Sequence, residues 1–285
     1  TDIRLQRGVL VDIADAALKQ AVETAIQTNG KGFVALAGSD APVDFQVAVN
    51  AAGEFEIQDA GDQPIPNLRP PVKADAAGVG KVVQRLVHLS KYANVRELDV
   101  PDKSAPQNIE IAISGAQSVT DGSAPTYRDG DRVKLTITNT QQPNPADPND
   151  PGRVLNITVM ALGSDWGISQ FYPDLAGTFE TLDPGGKVEK EIDLYLPEGY
   201  RENTDIIKVF ATRATTQFRW LEMPALDQPD PLFEAKRKGM IADPLATLFA
   251  TMTGEAVKTR ALKLAAPRQP ERRWTVVQVE LLVKA

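Results

Sequence analysis

Apolar residues in the first hundred positions change period three times. Leu18, Ala21, Val22, Ala25 and Ile26 recur at i, i+3, i+4, i+7 and i+8, which predicts an amphipathic helix with Asp15 as N-cap and Asn29-Gly30 as its stop. FVALA is then a short apolar run, Val43, Phe45, Val47 and Val49 alternate, and Gly53 turns the chain back into Phe55 and Ile57, so a small sheet is expected beside that helix. After the link IPNLRPP, Val79, Val82, Val83, Leu86 and Leu89 again follow helical spacing, with Lys81, Gln84, Arg85, His88 and Lys91 on the other side. The aliphatic stripe should pack on the sheet. VPDKSAPQ ends the helical pattern and marks a boundary.

Beyond it the period becomes two. Ile109, Ile111 and Ile113 alternate, as do Val133, Leu135 and Ile137, then Leu155, Ile157 and Val159. GISQFY, KVEKEIDLYL and DIIKVFATRA continue the strands, and turns such as YRDGD and QQPNPADPNDPG separate them. Ile241, Leu245, Leu248, Phe249 and Met252 predict one more helix after the cap Asp243-Pro244, and Val277, Val279, Leu281 and Val283 predict a closing strand. The expected architecture is an α+β unit over residues 1–102, followed over 103–285 by a mainly-β, immunoglobulin-like sandwich with a helical insertion near 232–265. Helices between strands are too few for a parallel doubly wound sheet.

A chain of 285 residues is long enough to bury about 75% of its unfolded surface, and 42% apolar with 24% charged residues is ordinary for a folded protein. The net charge of −7, with 31 Lys and Arg scattered, argues against a nucleic-acid footprint. No apolar run approaches a membrane span. Thr1 is not an initiator methionine, so the chain reads as a fragment or processed product. The absence of Cys excludes disulfides, thiolate metal sites and a cysteine nucleophile, and favours a cytoplasmic protein without excluding export. No cofactor is implied.

Little else carries chemistry. His88 is the single histidine and has cationic or polar helix neighbours, with no partner carboxylate on its face, so a solvated or cap-bonding role is the better reading. Asp129 with Asp131, and Asp147 with Asp150, suggest calcium ligands but lack the Gly and Glu of a calcium loop, and read as Asx-turns. Glu189 with Glu191, and Asp12 with Asp15, would need converging geometry to act as a hydrolase pair; an alternating strand makes a solvated face the simpler reading of the first. Gly78-Val79-Gly80 lacks the third glycine of a dinucleotide loop. Trp166, Phe171, Tyr172, Phe218 and Trp220 concentrate aromatic surface in one region, as a binding platform or, more commonly, as core.

Three stretches, VVQRLVHLSKYANVRELDVPD, SDWGISQFYPDLAGTFETLDPGG and LPEGYRENTDIIKVFATRATTQFRWLEMPALD, resemble the region C-terminal to the protease domain in bacterial caspase-family proteins of the metacaspase or orthocaspase type. The match spans residues 82 to about 227 and includes no catalytic motif. The family's activity rests on a His and Cys dyad. Without Cys, and with His88 outside any family motif, neither member carries over. The resemblance therefore implies a non-catalytic accessory region that contacts a protein: its own peptidase domain or a protein target. The loop from Trp166 to Pro173, the 213–228 segment and the 143–152 loop are its expected contact surfaces. A stand-alone carbohydrate- or peptide-binding protein is the alternative, and a carboxylate hydrolase a weaker third.

Overall fold

The structure, a computed structural model, describes residues 5–38, 41–98, 108–116, 125–142, 154–174, 179–213, 216–229 and 274–285. Strands dominate it. The predicted helix at 241–252 and its surrounding insertion, the 143–152 loop, and Asp147 with Asp150 lie outside these residues.

The chain begins with β1 (Arg7–Val11), α1 (Ala16–Asn29), β2 (Val34–Leu36), β3 (Phe45–Val49), β4 (Glu54–Asp59) and β5 (Val72–Lys73). These strands form one mixed sheet in the order β2-β1-β3-β4-β5, parallel around β1 and antiparallel beyond β3. Asp15 caps α1 as its sequence predicts, accepting from the amides of Ala17 at 2.8 Å and Leu18 at 3.0 Å. Val22 and Ile26 of α1 pack with Val9, Val11 and Val47 of the sheet.

α2 (Ala76–Arg96) follows. Val79, Val82, Val83, Leu86 and Leu89 enter the same core, as the helical spacing predicts. Gly78 lies where a Cβ would stand 2.0 Å from the Lys73 carbonyl, so the glycine in the dismissed GVG step lets helix and β5 meet closely. On the side of α2 opposite the stripe, Gln84 is exposed and Lys81 and Lys91 are partly so, but the side chain of Arg85 is 4% exposed and His88, expected to be solvated or cap-bonding, is half-buried. The second half of the chain reaches that side at Lys81, Arg85 and His88.

That half contains β6 (Ile109–Gly115), β7 (Thr126–Arg128), β8 (Arg132–Asn139), β9 (Leu155–Leu162), β10 (Ile168–Tyr172), β11 (Glu180–Leu182), β12 (Lys187–Asp193), β13 (Glu202–Thr212), a 3-10 turn at Phe218–Leu221 and β14 (Trp274–Lys284). One sheet runs β10-β9-β13-β14-β7, with β11 also paired to β9; the other runs β12-β8-β6. Val133, Leu135 and Ile137 of the smaller sheet share a core with Ile157, Val159, Val209 and Val283 of the larger. Alternation puts neighbouring residues on the larger sheet's outer face, where Met160, Leu162, Ile206, Phe210 and Val276 meet Tyr92, Val95 and Leu98 of the first half. Phe210 stacks on Phe218 and Trp274, with ring centroids 4.4 and 6.0 Å away.

Helix α2 therefore belongs to two cores. Its first turns complete the mixed sheet and its last turns cover the larger sheet of the second half. Lys208 on β13, 1% exposed, donates from Nζ to the Arg96 carbonyl at 2.7 Å and to Gln278 Oε1 at 3.1 Å, placing a cation at the negative end of the helix. Among the described residues no helix is long and apolar enough to cross a membrane.

Candidate functional site

The hairpin turn between β9 and β10, Gly163–Gly167, is fastened from three sides. Trp166 adopts φ = 66°, a left-handed conformation costing about 1–3 kcal/mol for a residue with a Cβ. The Nε2–H of His88 donates to its carbonyl at 2.8 Å, its indole N–H donates to Pro66 O at 3.3 Å, and its ring meets Tyr92 edge-on at 5.0 Å between centroids. The Tyr92 hydroxyl donates to Gly163 O at 3.2 Å, and burial pushes its pKa up, so it stays a donor. Asp205 accepts from the Ser164 amide at 3.2 Å and from Asn203; burial raises its pKa against these two bonds.

A second fastening lies one helical turn away. Arg85 donates to Asp227 at 3.0 and 2.6 Å and to Pro70 O at 2.6 Å, while Lys81 lies 3.0 Å from the same carboxylate. These bonds join α2, the 64–72 loop and the segment after the 3-10 turn.

Between the two halves these contacts leave a cleft of about 940 Å³. Tyr92 and Arg96 of α2, Ile65, Pro66 and Arg69 of the 64–72 loop, and Trp166, Arg201 and Thr204 of the second half are among the residues that line it. A smaller hollow of about 240 Å³ lies beneath the 64–72 loop and ends on the already bonded Arg85.

The five aromatic residues singled out by sequence are divided among different surroundings. Phe218 and Trp220 are buried on the outer face of the larger sheet, 1% and 7% exposed. Phe171 and Tyr172 are half-buried against the core between the sheets, with Lys190 Nζ 4.2 Å above the Tyr172 ring. Trp166 alone lines the cleft. None of the five is exposed, and they share no common face.

The polar candidates have local duties. Asp129 and Asp131 accept the backbone amides of Leu196 and Arg128, both at 2.8 Å. Glu189 and Glu191 face Lys134 and Arg132 across strands β12 and β8 on an exposed surface. His88 Nε2 must carry its proton to bond a carbonyl, and burial lowers the pKa of the ring. Among the described residues no three His, Asp or Glu side chains converge as a metal site.

Sequence reasoning missed the cleft, because its lining comes from positions 7 to 280 in short unrelated pieces. The one available signal was the SDWG turn, whose Trp166 does reach it.

No protein family matches the chain, and no curated protein matches it. Among solved structures, Northeast Structural Genomics Consortium target SoR45 aligns at 9% identity over 36% of this chain and 70% of that one, with a TM-score of 0.19. Pseudomonas fluorescens alkylpurine DNA glycosylase AlkC, bound to DNA containing an abasic site analog, aligns at 11% identity over 46% of this chain and 35% of its own, with a TM-score of 0.20. The chain thus spans about a third of that glycosylase, and at such scores neither likeness carries an argument about fold or function.

Proposed function

We propose that this chain is a non-catalytic accessory region of a caspase-like cysteine peptidase, an interaction module for target recognition, assembly or restraint of the protease. The observation that supports an interaction role is the cleft, lined by residues of both halves, which share a helix buried in the core of each. The link to a peptidase rests on the sequence resemblance. Its non-catalytic character is consistent with a chain that has no Cys and whose single His donates its Nε2 proton to a backbone carbonyl.

The β-rich half fits an immunoglobulin-like sandwich as its finer reading. The β12-β8-β6 sheet opposite β10-β9-β13-β14 follows the strand order of such folds, and β6 and β7 divide one edge between the two sheets.

The test is a titration of this chain into the purified catalytic portion of the parent peptidase, with hydrolysis of a fluorogenic peptide as readout. The chain alone turns over nothing, and its addition changes kcat/KM saturably. No binding at about 1 mM, where any association is weaker than about 4 kcal/mol, contradicts the proposal.

A further inference from the structure

We infer that the cleft binds a short acidic segment of a partner protein, with carboxylates held by Arg69 and Arg201 and an adjoining apolar side chain against Trp166. This deepens the reading of the cleft as a contact surface and rests on it.

The sign of the ligand follows from which charges already have partners. Four guanidinium groups and five carboxylates line the cleft, so formal charge alone does not choose. Arg7, however, bonds Glu97 and lies 3.5 Å from Asp44, and Arg96 lies 3.3 Å from Glu280. Glu202 leans toward Lys284 at 4.0 Å. Asp59 accepts the amides of Gly61 and Gln63 at 2.8 and 3.0 Å, closing its own turn. Every carboxylate thus has a partner within the protein.

Among the described residues, two of these cations have no carboxylate partner. Arg69 donates one Nη1–H to Gly199 O at 2.8 Å and lies 5.2 Å above the Tyr200 ring, leaving other N–H groups of its fork unused. The Arg201 guanidinium has neither ion pair nor hydrogen bond among the described residues. Both residues are exposed, and Arg69 bonds Gly199, two residues before Arg201. On a protein of net charge −7 they form a local attraction for anions, and a guanidinium fork matches a carboxylate in two parallel bonds.

Size and lining narrow the ligand further. A volume of about 940 Å³ lies near the top of the roughly 300–1,000 Å³ range of pockets for compact ligands, enough for several peptide residues. Ile65, Pro66 and Trp166 supply an apolar wall beside the cations. Two cations without a carboxylate are too few for a nucleic-acid backbone, whose affinity grows with each phosphate neutralised.

Fluorescence polarisation of labelled hexapeptides on the full chain tests this. The set comprises sequences with Asp or Glu beside Leu or Phe, their Asn and Gln counterparts, and their Lys counterparts. The acidic peptides are expected to bind at least tenfold tighter than the amide set, and to weaken as salt rises. Arg201→Glu should lower their affinity at least tenfold with an unchanged thermal midpoint, and Arg201→Gln should lower it in the same direction. Equal binding of acidic and amide peptides, preference for lysine, no binding by any peptide, or full affinity in Arg201→Glu would each overturn the inference. A chain that binds the catalytic portion of the peptidase yet shows no acidic preference defeats this inference alone. Acidic-peptide binding without peptidase binding defeats the accessory assignment alone.

Discussion

His88 Nε2 donates to the carbonyl oxygen of Trp166 at 2.8 Å, joining the middle of α2 to the tip of a hairpin 78 residues later. A left-handed Trp166 holds its place because its carbonyl, its indole N–H and its ring are all engaged. The consequence is a cleft wall that does not depend on loop flexibility.

Stability should fall as pH drops from 7.5 to 5.5. Burial depresses the His88 pKa most, Lys91 adds to this, and the Trp166 carbonyl with Asp227 and Asp165 only partly opposes it. A folded pKa below the unfolded value of about 6.5 means that the unfolded chain takes up the proton first. The stability is complete above that pH and is lost below it, at most about 1.4 kcal/mol per pH unit. Asp205, whose pKa is raised, acts in the opposite direction and cannot mimic the effect. Urea unfolding should show the slope in the unsubstituted chain and lose or reverse it in His88→Gln, whose amide retains a donor. A slope that survives in His88→Gln contradicts the assignment.

Asp227→Asn should cost about 3–5 kcal/mol, because it leaves the buried Arg85 guanidinium without its carboxylate. Lys81, 39% exposed, contributes little, and Lys81→Ala should stay within about 1 kcal/mol. Burial raises the Asp227 pKa, but bonds and charge from Arg85 and Lys81 outweigh it and the net shift is downward. Its contribution is therefore present above the ordinary carboxylate pKa and disappears as pH falls below it. Equal effects of the two substitutions in denaturant melts would argue against a buried ion pair.

Lys208→Met keeps the aliphatic stem and removes the ammonium that bonds Arg96 O and Gln278. The expected loss is about 1.5–3 kcal/mol, the usual worth of a charged hydrogen bond. Amide exchange in the last turn of α2 should quicken with it. Unchanged exchange there would show that Lys208 does not anchor the helix end.

Because α2 lies in both cores, the chain should unfold in one transition. Leu86→Ala in the first core and Phe210→Ala in the second should each lower the same thermal midpoint, with costs of about 2–5 and 3–5 kcal/mol. Far-ultraviolet and near-ultraviolet circular dichroism should coincide throughout. Two separated transitions, each moved by one substitution only, would contradict the shared helix.

The strands and helices were largely legible because their periodicity is local: Ile109 to Ile113, Val133 to Ile137 and Val277 to Val283 alternate where β6, β8 and β14 form. Short β1 and β5 gave no such signal, since RGVLV and VK hold too few turns of the pattern. The bonds made by polar residues of α2 were hidden for a different reason. Arg85, His88, Ser90 and Asn94 find partners at Asp227, Trp166, Phe33 and Leu5, and nothing near them in sequence announces those bonds. Sequence left Phe218 and Trp220 between binding platform and the commoner fate of core, because the short 3-10 turn that buries them has no period to detect. The cleft was illegible throughout, being a product of the way the halves meet.

The most direct test of the accessory-region account is the intact mass and complete sequence of the native protein in its source cells. The account predicts a longer parent chain carrying a His and Cys dyad of caspase type, from which this region is a part. A native protein without such a dyad would contradict it and turn attention to a stand-alone binding protein.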